Sequence, residues 1–324
     1  MKVFVTGADG FIGSHLVELL LTKKCNVIAL CHYNSHGSIG WLEDIRVKNK
    51  ANLKILTGDI NDDIFCMDVM EGVDVLINLA SLISIPHSYK SPRSHFQTNI
   101  HGTMNLAYSC IKNRIKKIIH ISTSEVYGTA IYTPIDENHP LQPQSPYSAS
   151  KISAETILRS FYHSYKLPVT ILRLFNTFGP RQSIRAVIPR IITQILSEES
   201  KIVLGDLSPT RDFNYVEDSC LAIYKSIKKS NIGEIYNIGS GNEISIKNLV
   251  NKISNISNIR KKIVTNKKFV RPKNSEVFQL VCNNKKFKKT TKFKSNYSLN
   301  EGLAKTIDWY KKNISKFKNS KFFE

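Results

Sequence analysis

Gly7-Ala8-Asp9-Gly10-Phe11-Ile12-Gly13 follows a short apolar strand, Lys2–Thr6, and opens an amphipathic segment, Ile12–Lys23. The spacing is G-x-x-G-x-x-G, not the commoner G-x-G-x-x-G, but the physics is shared. Glycine permits a tight turn, close approach of backbone to a pyrophosphate, and close packing of helix on strand. The helix start then offers unpaired N–H groups and the positive end of its dipole to phosphate. Gly7, Gly10, Phe11, Ile12 and Gly13 are therefore candidates to hold a dinucleotide. The carboxylate expected about 20 residues further on, for the adenosine ribose, is missing. That region reads Leu30-Cys31-His32-Tyr33-Asn34-Ser35, which leaves Asn34 as the ribose candidate. It holds no arginine for a 2′-phosphate either, so NAD is favoured and NADP stays open.

Outward from the loop, apolar runs alternate with amphipathic segments through residue 175. Strands are expected at Lys2–Thr6, Asn26–Cys31, Leu53–Thr57, Val73–Leu79, Lys117–Ser122 and Val169–Leu174. Helices are expected at Ile12–Lys23, Asp63–Met70, Pro92–Asn113 and Pro146–Tyr165, with Ser91 and Ser145 as capping hydroxyls before a first-turn proline. The pattern predicts an α/β, Rossmann-type, doubly wound parallel sheet. Beyond Arg173 it loosens, with one more strand at Ile235–Ile238 and a helix at Ser245–Ser257. We expect residues 1–175, with about 213–240, to form the dinucleotide domain. Residues 176–212 and 241–324 would form a smaller mixed α/β lobe closing the cleft.

Composition narrows the class. The 324 residues carry a net charge of +20, concentrated between Arg260 and Lys294. A lysine-biased solvated face, attraction of an anionic substrate, and nucleic-acid binding are the competing readings. No nucleic-acid motif or interleaved aromatic platform favours the last, so no nucleic-acid partner is expected. No segment approaches the roughly 20 apolar residues of a membrane span. The first strand begins at the N-terminus, leaving no room for a signal peptide. The six cysteines form no C-x-x-C pair, and no His/Cys/Asp cluster has metal-ligand spacing. A cytoplasmic protein with free thiols and no metal is expected.

Tyr147-Ser148-Ala149-Ser150-Lys151 is a Y-x-x-x-K at a helix start, which puts both side chains on one helix face. A neighbouring ammonium favours a phenolate, so Lys151 is expected to lower the Tyr147 pKa and make it a base for a substrate hydroxyl. Together with the glycine loop, these residues resemble the extended short-chain dehydrogenase/reductase family along nearly the whole chain. The resemblance implies cofactor contacts at Asp59 and Ile60, at Leu79, Ala80 and Ser81, at Asn99, and at Tyr147 and Lys151. It implies a substrate-facing segment at Arg173 to Arg181, and diphosphate contacts from Asn176, Arg211 and Arg271.

Within that family, Ser122-Thr123-Ser124-Glu125-Val126-Tyr127-Gly128 discriminates. Dehydration needs a carboxylate where sugar epimerases usually lack one. Oxidation at C4 of a hexose acidifies the C5 proton, and Glu125 is the expected base that removes it as the 6-hydroxyl leaves. Thr123 and Ser124 complete the expected catalytic set. Where dTDP-glucose dehydratases carry an acid, this chain has Ser124. The proton for the leaving hydroxyl then comes from Glu125, from water, or by relay through Ser124.

A narrower likeness joins Gly40-Trp41-Leu42, Ile83-Ser84-Ile85-Pro86, Gln182-Ser183, Arg185-Ala186-Val187-Ile188-Pro189, Thr210-Arg211-Asp212, Arg271-Pro272 and Ser275-Glu276-Val277. It is similar to the dehydratases of bacterial legionaminic acid synthesis, which act on nucleotide-linked N-acetylglucosamine, GDP-linked in the better-known cases. That likeness implies substrate contacts at Ser84, Arg185, Val187 and Glu276, and a homodimer through the helices at Pro92–Asn113 and Pro146–Tyr165. A UDP-glucuronate decarboxylase, a UDP-sugar 4-epimerase and a cofactor-sensing binding protein are the rivals.

Overall fold

The computed structural model describes residues 1–45, 51–270, 272 and 275–317. Its centre is a seven-stranded parallel sheet. The strands are β1 (Lys2–Thr6), β2 (Asn26–His32), β3 (Leu53–Gly58), β4 (Val75–Asn78), β5 (Lys117–Thr123), β6 (Val169–Leu174) and β10 (Ile235–Ile238), in the order β10-β6-β5-β4-β1-β2-β3. The chain winds outward from β1 through β2 to β3, then crosses back to β4 on the other side of β1. The order therefore reverses beside the glycine loop, where such sheets bind ligands beyond their carboxyl ends.

Strand alternation divides the core. Val3 and Val5 face one side with Leu16, Val17 and Leu20 of α1 (Phe11–Thr22), while Phe4 faces the other with Cys66, Met70 and Leu106. The far face is covered by α2 (Asp63–Val69), α5 (Gly102–Lys112) and α6 (Pro146–Tyr165). Both faces are covered, which is why the strands read as unbroken apolar runs.

The helix expected over Pro92–Asn113 is not uniform. After α3 (Ile85–Lys90), it runs as α4 (Pro92–Phe96), a π-helical turn at Gln97–His101, and α5. Ser91 does not cap it, for its hydroxyl meets that of Ser94 at 2.8 Å. Ser145 does cap α6, in a reciprocal pair with Ser148.

Outside the main sheet, β7 (Asn176–Phe178) pairs with β9 (Thr210–Tyr215), which also pairs with β11 (Glu243–Ser245) and β13 (Gln279–Leu280). A ribbon of β8 (Lys201–Leu204) and β12 (Lys262–Thr265) packs near α7 (Val187–Leu196), with α9 (Ile246–Ser257) and α11 (Leu299–Asn313) beside it. The boundary expected near 213 falls inside β9. The chain then returns to the main sheet through α8 (Val216–Lys229), which lies along α1, and through β10. The later α10 (Lys285–Thr291) packs on β10 and α8, within the stretch expected to belong to the lobe. No helix among the described residues is long and apolar enough to cross a membrane. All six cysteines are buried and unbridged.

Candidate active site

The glycine loop is shaped by what it touches. Gly7 has φ +62°, and a Cβ there would lie 2.9 Å from the Ala80 nitrogen. A Cβ at Gly13 would lie 2.1 Å from the Gly7 carbonyl oxygen, so α1 can rest on the loop only with glycine at that position. Gly10 begins α1 without a side-chain cap, and the first turn holds no acid. The N–H groups of Phe11, Ile12 and Gly13 are thereby left for an anion. Opposite them, the Thr6 hydroxyl donates to Asn78 Oδ1 at 2.8 Å and accepts the N–H groups of Leu79 and Ala80, each at 3.1 Å. This bond set fixes Leu79-Ala80-Ser81 against the loop.

Asn99, expected among the cofactor contacts, is buried and bonded within the chain. Its Oδ1 accepts from the Ser81 hydroxyl and the Leu82 N–H, and its Nδ2 donates to the Leu82 carbonyl and Ser150 Oγ, at 2.9–3.0 Å. It comes from the π-helical turn, an irregularity that recurs at functional sites. Asn34 is likewise committed. Its Nδ2 donates to the carbonyls of His32 and Ser38, and its Oδ1 accepts from the N–H groups of His36 and Ser38. Asp59 Oδ1 accepts from the Asn61 backbone and side chain, and Oδ2 lies 3.7 Å from His32 Nε2. Ile60 is buried against Gly102, where a Cβ would come within 2.5 Å of its Cδ1.

Tyr147 and Lys151 stand one turn apart on α6, both buried. Lys151 Nζ donates to the Ile121 carbonyl at 2.7 Å. Burial lowers its ammonium to about 8, with Glu155 pulling the other way. Tyr147 is not lowered as expected. Burial pushes its phenol up, the Glu125 charge adds to that, and a hydrogen bond with the Thr123 side chain opposes it. The ammonium is spent on the β5 carbonyl, and desolvation dominates the phenol. The Lys151 shift has a measurable consequence. Between about pH 8 and pH 10.5 the unfolded chain keeps a proton that the native state has lost, so stability contributed by this group rises with pH. Chemical denaturation of the wild type should therefore gain on Lys151→Met across that window, by at most roughly 3 kcal/mol. A flat difference would contradict the shift.

Thr123 ends β5, and its Oγ1 accepts the Glu125 N–H at 3.2 Å, capping the 3₁₀ turn Ser124–Tyr127. Ser124 is buried and Glu125 half-buried in that turn. Beneath it lies a buried network in which Glu155 was not anticipated. Glu155 accepts from the Ser122 hydroxyl and from Arg173, whose Nε and Nη2 reach the carboxylate at 3.1 and 2.6 Å. Arg173 Nη1 donates to the Tyr127 hydroxyl at 2.9 Å, which donates to Asn237 Oδ1 at 2.6 Å. The signal was present in sequence: Glu155 follows Lys151 by four residues on the buried face of α6.

On the substrate side, Asn176 Nδ2 is buried with no hydrogen-bond partner among the described residues. An orphaned donor at the start of β7 is what an absent acceptor would leave. Arg211 Nη2 lies 3.0 Å from Glu276 Oε1, so two expected substrate contacts pair with each other. Ser84 caps α3, Arg185 is exposed, and Val187 begins α7. Arg271 lies outside the described residues.

A family model described as GDP-mannose 4,6 dehydratase matches residues 4–306. The chain belongs to this family. It is 31% identical to human (Homo sapiens) dTDP-D-glucose 4,6-dehydratase over 325 residues, 98% of this chain and 92% of that one. Among solved structures, it superposes on DesIV, the dTDP-glucose 4,6-dehydratase of Streptomyces venezuelae with NAD and TYD bound. The TM-score is 0.89 and the identity 28%, over 99% of this chain and all of that one. It also superposes on the UDP-N-acetylglucosamine 4-epimerase of Methanobrevibacter ruminantium M1, in complex with UDP-N-acetylmuramic acid. There the TM-score is 0.87 and the identity 33%, over 96% and 98% of the two chains. The chain is thus an enzyme of the nucleotide-sugar 4,6-dehydratase and epimerase family, whose cofactor is NAD. The glycine cradle and the uncapped start of α1 fit that cofactor.

Proposed function

We propose that this enzyme is a 4,6-dehydratase that converts GDP-N-acetylglucosamine to the 4-keto-6-deoxy sugar, in legionaminic acid biosynthesis. The observation that carries the reading is Glu125, held by Thr123 in a turn whose charge is felt at the Tyr147 hydroxyl. A base stands beside a proton-transfer pair. Bound NAD supplies the acceptor and later the donor of hydride. Tyr147 takes the O4 proton as C4 becomes a ketone, with Thr123 orienting the phenol and Lys151 the cofactor ribose. Glu125 then removes the C5 proton and passes it to the C6 hydroxyl, which departs as water, and the proton that Tyr147 took from O4 balances the one that C5 regains as C6 is reduced. Ser124, buried in the same turn, would relay the departing proton.

Gly7, Gly10, Phe11, Ile12 and Gly13 would hold the pyrophosphate, with Leu79, Ala80 and Ser81 at the nicotinamide side. Asp59 and Ile60 would hold the adenine. Asn176, Arg211 and Arg271 would bind the nucleotide diphosphate, and the Leu82-Ile83-Ser84 wall the N-acetyl group. The N-acetylated sugar draws support from the Methanobrevibacter enzyme, whose own name specifies UDP-N-acetylglucosamine. That enzyme also favours a second reading, a 4-epimerase. A homodimer draws support from Tyr108 and Tyr165, exposed and set edge-on to Phe161 across α5 and α6.

Incubation with GDP- and UDP-N-acetylglucosamine, followed by mass spectrometry, decides among these. Loss of one water from the GDP sugar is the expected result, at a kcat/KM at least about 100-fold above that for the UDP sugar. An unchanged mass with an inverted C4 would make it an epimerase, and dehydration of the UDP sugar alone would overturn the choice of nucleotide.

A further inference from the structure

The loop after β7 is fastened to α1 by side chains that no proposed step uses. Pro180 and Arg181 lie against the face of α1 that carries Ser14, His15 and Glu18. Arg181 Nη1 and Nη2 each reach one oxygen of the Glu18 carboxylate at 3.0 Å, a two-pronged pair. Nη1 also donates to Ser14 Oγ at 3.3 Å, and that hydroxyl donates to the Phe11 carbonyl at 3.1 Å, in the first turn of α1. His15 Nε2 donates to the Pro180 carbonyl at 3.0 Å. Burial, with the Arg181 charge adding to it, holds the His15 ring below its usual pKa.

The backbone shows that this arginine is held in place at a cost. Arg181 has φ +67°, a left-handed conformation that glycine adopts freely and other residues seldom do. Such strain persists only where the surroundings fix it, here by an ion pair whose side chains are 9% and 23% exposed.

The same loop carries two unanswered groups. Gln182 Nε2 donates to the Thr177 carbonyl at 2.9 Å, closing the loop on itself, and the Tyr310 hydroxyl donates to the Gln182 carbonyl. Gln182 Oε1 and Asn176 Nδ2 are buried with no hydrogen-bond partner among the described residues. One acceptor and one donor, buried in one short stretch, mark where a polar ligand would complete the bonding. The Arg181 clasp joins this stretch to the helix turn whose N–H groups are open to phosphate.

We propose that Arg181 is a positioning residue: its grip on Glu18 and Ser14 makes the order of residues 176–182 depend on NAD bound at the start of α1. Cofactor loading then prepares this stretch for the substrate. The first statement rests on the family's cofactor alone, and the second also on the substrate contact proposed at Asn176.

Hydrogen exchange of the full chain, cleared of retained nucleotide and measured with and without NAD⁺, tests it. In the wild type, NAD⁺ should slow exchange at least about 5-fold in the glycine loop and in residues 176–182 alike. In Arg181→Gly, which releases the left-handed strain, the glycine loop should keep that protection and residues 176–182 should lose it. Glu18→Ala leaves the loop's own sequence intact and should do the same, which keeps the test decisive if glycine loosens the loop by itself. With NAD⁺ saturating, both variants should lose about 10- to 100-fold in kcat/KM on the sugar nucleotide that the wild type turns over. Arg181→Lys, which lacks the fork, should recover only part of that loss. Protection of residues 176–182 that survives in Glu18→Ala would overturn the proposal and place the coupling on α8, whose Ser219 hydroxyl meets Thr177 Oγ1 at 2.9 Å. A wild type in which NAD⁺ protects the glycine loop alone, or variants with the wild-type kcat/KM, would overturn it as well. A glycine loop that NAD⁺ leaves unprotected would overturn it together with the cofactor site at α1.

Discussion

Glu125→Gln should stop water loss while C4 oxidation continues. Positioned proton transfer contributes about 10²- to 10⁴-fold to a rate, and dehydration should fall by that factor. The amide keeps the side chain's size and the backbone bond to Thr123, so the turn at Ser124–Tyr127 is not disturbed. On adding substrate, the reduced nicotinamide should accumulate and be visible by its near-ultraviolet absorbance, because the ketone forms but elimination does not return the hydride. Tyr147→Phe separates the two steps from the other side. In the proposed mechanism its phenol takes the O4 proton, so neither absorbance nor water loss should appear. Two results would remove Glu125 from the role: wild-type dehydration in Glu125→Gln, or loss of the absorbance signal in both variants alike. The second would mean that the carboxylate supports the redox step or the turn and does not act at C5.

Much of the fold was legible because the determinants are local. Strands covered on both faces read as unbroken apolar runs, and β1, β6 and β10 fall on the expected residues. The glycine loop was equally plain, since Gly7 and Gly13 each meet a backbone that a Cβ would strike. What was not legible has a different cause. Hydrophobic periodicity cannot show a π-helical turn inside an otherwise helical run, so the irregular backbone at Asn99, whose cofactor role the family resemblance implied, was not legible. In the structure the turn swings it inward, where four hydrogen bonds tie Ser81, Leu82 and Ser150 together.

Asn34 was chosen because its neighbourhood held no carboxylate in sequence. In the structure Asn34 is bonded to the carbonyls of His32 and Ser38 and to the N–H groups of His36 and Ser38, a set of bonds that depends on how the loop after β2 folds back. Tyr147 shows a third limit. The i,i+4 spacing with Lys151 is real, but spacing reports proximity and not solvation. Burial of the phenol outweighs a charge that is bonded to the Ile121 carbonyl. Arg211 and Glu276 were each read singly, and their pairing depends on how β9 meets the segment before β13.

The largest effect on stability should come from the pair beneath the catalytic turn. Arg173 and Glu155 have side chains only 2–3% exposed, bonded at 2.6 Å. Removing one member of a buried ion pair strands the other charge and costs about 3–5 kcal/mol. Arg173→Met and Glu155→Leu should each lose that much in urea denaturation. The double variant, which buries no uncompensated charge, should recover a good part of the loss. Recovery will be incomplete, because the Ser122 hydroxyl loses its acceptor and the Tyr127 hydroxyl a donor. Single variants that cost under about 1 kcal/mol would show the pair to be solvated. The double variant also separates packing from function. Ser122 adjoins Thr123, and Tyr127 closes the turn that carries Glu125, so the network registers β5 against the helix that carries Tyr147 and Lys151. If registration is its task, the double variant will fold yet lose kcat with little change in KM, since the groups proposed to bind the nucleotide lie elsewhere. A double variant that regains both stability and kcat would reduce the network to packing alone.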